Sequence, residues 1–448
     1  MPKKKTALTI EERLQQALVP AEEQPYEVPE NWVWVRLESV ASWGSGGTPS
    51  RKHEEYYNGD ILWIKTGELN NGWIYDTEEK ITDEGLKKSS AKLFPPYSVL
   101  IAMYGATIGK VAILGVPATT NQACACAVCN QSLLYMYLFY YCISQKNVFI
   151  EKGKGGAQPN ISQIILKQHP IPLPPLSEQQ RIVERIEELF AKLDEAKERL
   201  QEVADSFAVR KAAILHKAFT GELIGKQVTE LVPLENLVDL IKIGPFGSSL
   251  HESDYIENGI PLVNPKHIVQ QRIVPQSKIS ISDEKAEELS SYKLKENDIV
   301  LGRRGEMGRC APISNREENW ICGTGSMIIR LKKEYDAKLY SLILGSQATV
   351  TYLENSAVGS TLKNLNEKIV RKIPVPQFSS EEQHEIVRLI DNLLARERAA
   401  QQAAEQALAS IDLMKKSILA RAFRGELGTN KASEASALEL LKQVLAEN

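Results

Sequence analysis

Residues 218–223 read Ala-Phe-Thr-Gly-Glu-Leu, and residues 422–427 repeat this motif as Ala-Phe-Arg-Gly-Glu-Leu. The same offset of 204 residues relates the positions that precede each copy. A constant offset over such a length indicates an internal duplication, which has to be recognised before local motifs are interpreted. The matching positions are Pro170 and Pro374, Pro172 and Pro376, Glu178-Gln179 and Glu382-Gln383, Ile182-Val183 and Ile386-Val387, Ala191 and Ala395, Lys211 and Lys415, and Leu215 and Leu419.

Both copies carry a heptad pattern. Apolar residues recur at alternating steps of four and three, which is the 3.5-residue period of a coiled-coil seam. Pro175 argues against a helix upstream, so Ser177 is predicted to cap the first helix, and Gly221 and Gly425 are predicted to end the two helices. The predicted seam is Ile182, Ile186, Leu189, Leu193, Ala196, Leu200, Val203, Phe207 and Ile214, interrupted by Arg210, and Ile386, Ile390, Leu393, Ala400, Ala404, Ala407, Ile411, Met414 and Ile418, interrupted by Glu397.

Each heptad segment is long enough to form a rod of roughly 60 Å. Because the two segments are near copies with matching seams, we predict that they pair with each other as an antiparallel coiled coil. The alternative is that each helix packs only on the domain that precedes it.

The stretches upstream of the helices correspond in layout more than in sequence. We therefore predict an α+β protein in which two mixed α/β domains are separated by the two paired helices, with a pseudo-two-fold internal repeat. The loosely matching pairs are Val35–Glu38 with Val232–Glu235, Asn58-Gly59 with Asn258-Gly259, Ser98–Gly105 with Asp298–Gly305, Ile108–Lys110 with Met307–Arg309, and Gly155 and Asn160 with Gly359 and Asn364.

The repeat predicts six consecutive segments. They are an N-terminal helix and linker at 1–28, a first domain at 29–176, a first long helix at 177–225, a second domain at 226–378, a second long helix at 379–427, and a C-terminal linker and helix at 428–448. Within them, residues 33–37, 99–103, 123–128 and 299–301 are predicted as strands, and residues 133–148 and 337–354 as helices. Thr9 and Glu12 form a capping-box pattern ahead of a short helix.

Composition limits the class of protein. The chain has 448 residues, more than one ordinary domain, and no apolar run approaches the ~20 residues that span a membrane. A basic start without an apolar core, together with only six cysteines, predicts a cytoplasmic, reduced protein. The net charge of −3 does not exclude an anionic partner, because residues 178–205 hold nine acidic and five basic residues. Local basic clusters remain, including Arg303, Arg304, Arg309 and Arg316.

Three segments imitate catalytic or metal-binding motifs. Residues 94–97, Phe-Pro-Pro-Tyr, resemble the Asn/Asp-Pro-Pro-aromatic box of amino-methyltransferases, but Phe94 cannot accept hydrogen bonds from an amino group. Residues 105–111 resemble a phosphate loop that is one residue short and ends in Val111 instead of Ser or Thr. Cys124 and Cys126 alternate with alanines, which predicts a packed strand rather than a metal site. We therefore predict no catalytic centre, no metal and no cofactor on this chain.

What remains is a set of polar, basic and aromatic residues at predicted loops and strand ends. Flexible hydroxyl-rich loops with basic residues suit phosphate contacts through backbone N–H groups and Lys or Arg. Arg can bind a guanine edge with two hydrogen bonds, and Asn an adenine edge. The candidates in the first domain are Ser45, Thr48, Ser50, Arg51, Lys52, Lys65, Thr66, Asn70, Tyr104, Thr107 and Lys110, and those in the second are Phe246, Ser248, Ser249, Asn264, Lys266, Arg303, Arg304, Glu306 and Arg309.

These motifs together resemble the specificity subunit of type I restriction-modification enzymes, over residues 29–427. The second copy departs from the pattern at 376–383 and 244–248, where the Gly-Thr-Pro loop becomes Gly-Pro-Phe. The motifs that carry the resemblance are Asn31–Leu37, Gly46–Ser50, Asn160–Ser162, Ile171–Gln180 and the twice-used Ala-Phe-x-Gly-Glu-Leu.

The resemblance implies a division of labour. Two target recognition domains would each read one half of a bipartite, asymmetric site in double-stranded DNA, and the paired helices would set the gap between the halves. The helices would also dock two modification subunits, which bind S-adenosylmethionine and methylate adenine, and restriction subunits that use ATP and Mg would join them. This chain itself would be non-catalytic. A different hypothesis is a coiled-coil scaffold whose domains bind proteins, and a third is a fused enzyme, which the failed motifs oppose.

Overall fold

The computed structural model describes residues 9–153, 160–246, 249–356 and 364–447. The chain divides into two compact units, the first formed by Met1–Arg199 with Ala407–Asn448 and the second by Leu200–Gln406. Both boundaries fall inside long helices, so each of these helices contributes one half to each unit.

The first unit contains the following elements. Its strands are β1 (Val33–Arg36), β2 (Ala41–Ser45), β3 (Tyr57–Ile64), β4 (Trp73–Ile74), β5 (Lys80–Ile81), β6 (Val99–Ala102), β7 (Val111–Leu114), β8 (Thr119–Thr120), β9 (Cys124–Cys129) and β10 (Pro170–Leu173). Its helices are α1 (Ile10–Ala17), α2 (Leu37–Val40), α3 (Asp83–Lys87), α4 (Tyr135–Ser144), α5 (Lys146–Lys152), α6 (Gln163–Lys167) and the first half of α7 (Leu176–Phe219).

The second unit repeats this plan. Its strands are β11 (Val232–Pro233), β12 (Val238–Ile243), β13 (Ile260–Val263), β14 (Ile268–Val269), β15 (Arg272–Ile273), β16 (Ser280–Ile281), β17 (Asp298–Gly302), β18 (Cys310–Pro312), β19 (Ile321–Cys322), β20 (Ser326–Leu331) and β21 (Pro374–Val375). Its helices are α8 (Asp283–Glu288), α9 (Ala337–Leu344), α10 (Gln347–Ser356), α11 (Glu367–Arg371) and the first half of α12 (Ser380–Ala422), whose second half belongs with α13 (Ala437–Glu447) to the first unit.

The two units share one sheet topology. The first unit has a sheet of order β2-β9-β6-β7-β4 and a smaller one of order β5-β3-β8, and the second unit has the orders β12-β20-β17-β18 and β16-β13-β19. Each strand of these four sheets therefore has a counterpart at the same place in the other unit, apart from β4 at the edge of the first sheet. The second unit also contains the two-stranded sheet β14-β15, which has no counterpart among the sheets of the first unit. The loose sequence correspondence between the domains reflects a common topology.

The central strand β6 is buried on both faces, which explains why it is continuously apolar. Val99 and Ile101 join the larger core of the first unit, which includes Tyr137 on α4. Leu100 and Ala102 point to a second, smaller core on the other face of the sheet. Strand β17 has the same double burial in the second unit.

The start of α7 is anchored to its domain by buried polar side chains. The side chain of Gln179 donates to the carbonyl oxygens of Ser132 (2.9 Å) and Pro174 (3.0 Å) and accepts from the N–H of Leu134 (2.9 Å). At the equivalent start of α12, the side chain of Gln383 makes the same three bonds, to the carbonyls of Glu334 and Phe378 and from the N–H of Asp336. The duplicated glutamine is therefore a structural anchor.

The predicted cap of the first long helix is wrong. Helix α7 begins at Leu176, and the carbonyl of Pro175 accepts the N–H of Gln179 (3.0 Å), so Ser177 lies inside the first turn. Proline is tolerated there because the missing N–H would be unpaired anyway. In α12 the position equivalent to Pro175 is Ser379. Its Oγ accepts the N–H of Glu382 (3.3 Å), and the carboxylate of Glu382 accepts the N–H of Ser379 (2.9 Å). The second helix thus has a capping box that the first lacks.

The two long helices pair antiparallel, as predicted. In the first unit the beginning of α7 meets the end of α12, with Lys415 Nζ 2.5 Å from Asp194 Oδ1. In the second unit the end of α7 meets the beginning of α12, with Arg210 Nε 2.9 Å from Glu397 Oε2. The two residues that interrupt the predicted seams are therefore ion-pair partners.

The seam is less regular than predicted, and the helices also pack on their domains. Val203 and Met414 are 44% and 48% exposed, and Ala400 is exposed as well, so these three do not form the seam. Ile182, Ile186, Phe207, Ile386, Ile390 and Ile411 are buried, whereas Leu189, Leu193, Leu200, Ile214, Leu393 and Ile418 are half-buried. Ile182 and Ile186 belong to the domain core of the first unit, and Ile386 and Ile390 to that of the second.

The cysteine-rich strand β9 is a packed core strand. Cys124 and Cys126 are fully buried, and burial raises the pKa of the Cys126 and Cys129 thiols to about 12. Within the described ranges, no three His, Cys, Asp or Glu side chains are grouped so that they could hold a metal ion. Nor is any helix of those ranges long and apolar enough to cross a membrane.

Candidate nucleic-acid interface

The candidate residues of the first domain come together in loops at the ends of strands of the two sheets. The loops 45–52, 65–70 and 103–110 follow β2, β3 and β6, and the segment 119–123 ties them together. Through that segment, the N–H of Gly47 donates to the carbonyl of Thr120, that of Asn121 to Ile64, and that of Met103 to Ala123, each at 2.9 Å. We call these loops the first loop cluster.

The second domain builds the same cluster from its equivalent strands. The loops that follow β12, β13 and β17 are joined by residues 322–326. The N–H of Gly244 donates to the carbonyl of Ser326 (2.9 Å), that of Gly323 to Val263 (3.0 Å), and that of Arg303 to Gly325 (2.8 Å). We call residues 244–246, 249, 264–267, 303–309, 322–326 and 364–365 the second loop cluster, and the candidate Ser248 lies outside the described residues.

The turns 103–110 and 303–309 each contain two glycines with positive φ, one near each end of the turn. Gly105 and Gly109 have φ values of 59° and 75°, and Gly305 and Gly308 have 82° and 74°, a region where side chains are strained. Both turns join antiparallel strands of a hairpin. A phosphate loop joins a strand to a helix, so the resemblance of residues 105–111 to one is confined to the sequence.

Hydrogen bonds align the two turns at both ends, although the first turn is one residue longer than the second. Tyr104 forms a bridge with Asn160, and Arg304 forms the same antiparallel bridge with Asn364. At the far side of each turn, the carbonyl of Lys110 accepts the N–H of Ala102 (2.9 Å), and that of Arg309 accepts the N–H of Gly302 (2.8 Å). Tyr104 is therefore equivalent to Arg304, and Lys110 to Arg309.

Two candidate cations of the first cluster share one carboxylate. Arg51 Nη1 lies 2.6 Å from Glu79 Oε2, and Lys65 Nζ lies 2.9 Å from Glu79 Oε1 and 3.1 Å from Glu78 Oε2. The hydrogen bonds from Arg51 and then Lys65 hold the pKa of Glu79 below its usual value. The guanidinium of Arg51 also lies 4.4 Å from the ring centre of Tyr57. Sequence reasoning missed these acidic partners, for which the adjacent Glu78-Glu79 pair was the only signal.

Two arginines of the second cluster are held by the fold. Arg309 pairs with Glu306, with Nε 3.2 Å from Oε2, and Arg303 donates from Nε to the carbonyl of Leu365 (3.0 Å). Burial, and then the charge of Arg304, lower the pKa of Arg303. Arg316 is not part of this cluster, because it follows β18 and lies at the opposite end of the β17–β18 hairpin from residues 303–309. The basic cluster predicted from the sequence therefore contains only Arg303, Arg304 and Arg309.

Other candidate side chains remain open to a ligand. Within the described part of the chain, the side chains of Lys52, Lys110, Lys266 and Arg304 have no hydrogen-bond or ion-pair partner. Tyr104 and Phe246 are 45% and 65% exposed. Thr48, Ser50, Asn70 and Ser249 are exposed, and Ser45, Thr66 and Thr107 are half-buried. The hydroxyl of Thr48 donates to Gln122 (2.5 Å) and that of Thr107 to the carbonyl of Tyr104 (2.7 Å), so these two are already engaged.

The second loop cluster also contains polar atoms without partners. Among the described residues, Asn264 Oδ1, Ser326 Oγ and Asn364 Oδ1 are buried and make no hydrogen bond. An unsatisfied buried polar atom is costly and needs an explanation, such as water or a ligand. All three belong to segments of the second loop cluster, and Asn264 is itself one of the candidate residues.

The comparisons with known proteins agree with this architecture. The family model of the type I restriction modification DNA specificity domain matches residues 29–205 and 235–407. The specificity subunit of the type I restriction enzyme EcoBI from Escherichia coli is 25% identical, over 94% of this chain and 93% of its own length. That of the enzyme MjaIX from Methanocaldococcus jannaschii is 28% identical, over 62% of this chain and 68% of its own length. The crystal structure of the HsdS subunit from Thermoanaerobacter tengcongensis has a TM-score of 0.63 at 20% identity, covering 90% of this chain and 100% of that one.

Because the family model matches well over half of the chain, the protein belongs to the type I restriction-modification DNA specificity family. Membership makes it a subunit for DNA sequence recognition, and it confirms both the predicted resemblance and the prediction of a non-catalytic subunit. The matched regions, one in each half, also agree with the internal repeat.

Proposed function

We propose that this subunit recognises a bipartite, asymmetric site in double-stranded DNA, with one half-site bound by each loop cluster. The observation that carries the proposal is the pair of clusters with one backbone plan and different side chains. Equivalent backbones suit the same register on the phosphates, while different side chains select different bases. Two tethered half-site readers also gain joint affinity through effective concentration.

The free cations suit phosphate contacts. Lys52, Lys110 and Lys266 are point charges whose side chains have no hydrogen-bond or ion-pair partner among the described residues. Two of the residues proposed to contact DNA are paired with carboxylates in the free protein. To bind a phosphate, Lys65 has to leave its glutamates, and Arg309 has to leave Glu306 to bind DNA. Arg303 is half-buried, so its proposed part is to position the turn.

The long helices are proposed to set the gap between half-sites and to dock the partners. Each of them runs through both units, and the exposed face of α7 carries alternating charges such as Glu188 and Lys192. The proposed partners are two modification subunits, which carry S-adenosylmethionine and methylate adenine, and restriction subunits, which use ATP and Mg. The six-segment domain division made from the sequence remains a prediction.

The test is a methylation map of DNA from cells that express the modification subunits with and without this chain. The expected result is adenine methylation at one split motif that appears only when the chain is present. A full-length variant in which Lys52, Lys110 and Lys266 are changed to Ala should lose methylation at that motif when it is expressed with the same modification subunits. An unchanged map with assembled partners would refute the proposal and favour a protein-binding scaffold.

A further inference from the structure

Position 304 lies in a part of the second loop cluster that hydrogen bonds tie to two other segments. Its neighbour Arg303 donates from its N–H to the carbonyl of Gly325 (2.8 Å) and accepts the N–H of Leu365 (3.0 Å), and its Nε returns to the carbonyl of Leu365. The backbone of Arg304 is therefore held between two other segments of the cluster. Such support preorganises a binding residue, because little freedom remains to be lost on binding.

The side chain of Arg304 contrasts with this rigid backbone. It is exposed, and no described residue offers it a carboxylate or carbonyl. Arg303 and Arg309, its neighbours in the turn, are both engaged within the protein. Arg304 is thus the arginine of the turn whose guanidinium is available to an external acceptor pair.

The first domain places a different side chain on the same support. Met103 repeats the bonds of Arg303, donating to Ala123 (2.9 Å) and accepting the N–H of Ile161 (2.9 Å), and Tyr104 follows it as Arg304 follows Arg303. The ring of Tyr104 is exposed, but a phenol has one hydroxyl and no fork of N–H donors. The two domains therefore present a guanidinium and a phenol at one equivalent position.

We infer that positions 104 and 304 are equivalent specificity-determining positions, and that Arg304 selects a guanine in the second half-site. The guanine edge in the major groove offers O6 and N7 as adjacent acceptors, which a guanidinium binds with two hydrogen bonds. Tyr104 cannot form this pair, so the first half-site is read differently at the corresponding place. This inference rests on the proposed function and adds to it a residue and a base.

The experiment uses the full chain together with its modification subunits in cells, with sequencing that detects N6-methyladenine. The wild-type chain should give a split motif with a guanine in one half-site. Arg304→Ala should reduce discrimination at that guanine by about tenfold or more, and leave the other half-site unchanged. Tyr104→Ala should alter only the other half-site.

Arg304→Lys separates base selection from charge. Lysine keeps the charge but loses the planar fork, so discrimination at the guanine should fall while the salt dependence of DNA binding stays the same. Arg316→Ala is the matched control, since it removes an exposed arginine at the opposite end of the same hairpin, and it should leave the motif unchanged.

The outcomes distinguish the two levels of the proposal. A wild-type chain that produces no split motif overturns the proposed function and this inference with it. A split motif that lacks guanine in the affected half-site, or that is the same for wild type and for folded Arg304→Ala, overturns the inference alone. Changes in one and the same half-site for Arg304→Ala and Tyr104→Ala would show that the positions are not equivalent.

Discussion

Replacing Gln179 by Ala should destabilise the first unit far more than replacing the residue beside it. Gln179 is fully buried and its side chain makes three hydrogen bonds, which tie the start of α7 to the backbone of 132–134 and 174. At about 1 kcal/mol net for each bond, the loss is about 3 kcal/mol, since the abandoned N–H and carbonyl groups stay buried.

Urea unfolding of the full chain measures this difference. With a slope of about 2–3 kcal/mol per molar urea, the transition of the first unit should shift down by about 1 M. The control is Gln180→Ala, which removes an exposed side chain whose bond is to Glu184 (3.0 Å), and which should cost less than about 0.5 kcal/mol. Gln383→Ala should reproduce the large effect in the second unit.

The outcome that refutes this reasoning is a clear one. If Gln179→Ala and Gln180→Ala shift the transition equally, the buried amide does not anchor the helix, and the repeated glutamine needs another explanation. A shift for Gln179→Ala that is absent for Gln383→Ala would show that the two anchors are not energetically equivalent.

Three further predictions test the loop clusters and the core. Glu79→Gln should release Arg51 and leave Lys65 with Glu78 alone. Affinity for duplex DNA of any sequence should therefore increase and should depend more steeply on salt, as titrations at several salt concentrations would show. His169 is buried, and burial lowers its pKa from 6.5 to about 3. The imidazole is therefore protonated at a higher pH in the unfolded chain than in the folded one, so the free energy of unfolding should fall as pH drops from about 6.5 towards 3. The urea midpoint of His169→Gln should fall less over this range than that of the wild type. Gly308→Ala should perturb its turn, since the added Cβ would lie 2.5 Å from Cγ2 of Val350 at a φ of 74°, and the methylation map should then lose the second half-site but keep the first.

The repeat, the long helices and their pairing could be predicted from the sequence because they depend on periodic patterns. A heptad of apolar residues defines a helix face whatever lies around it, and two near copies with matching seams favour each other as partners. The family could likewise be predicted from repeated motifs, such as Glu178-Gln179 and Glu382-Gln383, which lie 204 residues apart in equivalent places. The predicted capping box at Thr9 and Glu12 was also confirmed, because its geometry is local.

Which side chains are free was decided only by the tertiary structure. Arg51 and Lys65 share Glu79, and Arg210 meets Glu397 from 187 residues away, pairings that no local pattern encodes. Arg316 is close to Arg309 in sequence, yet the hairpin carries it to the opposite end of its strands. Sequence periodicity determines faces of helices and strands, whereas the partners of a charged side chain depend on which distant segments the folded backbone brings within a few ångströms.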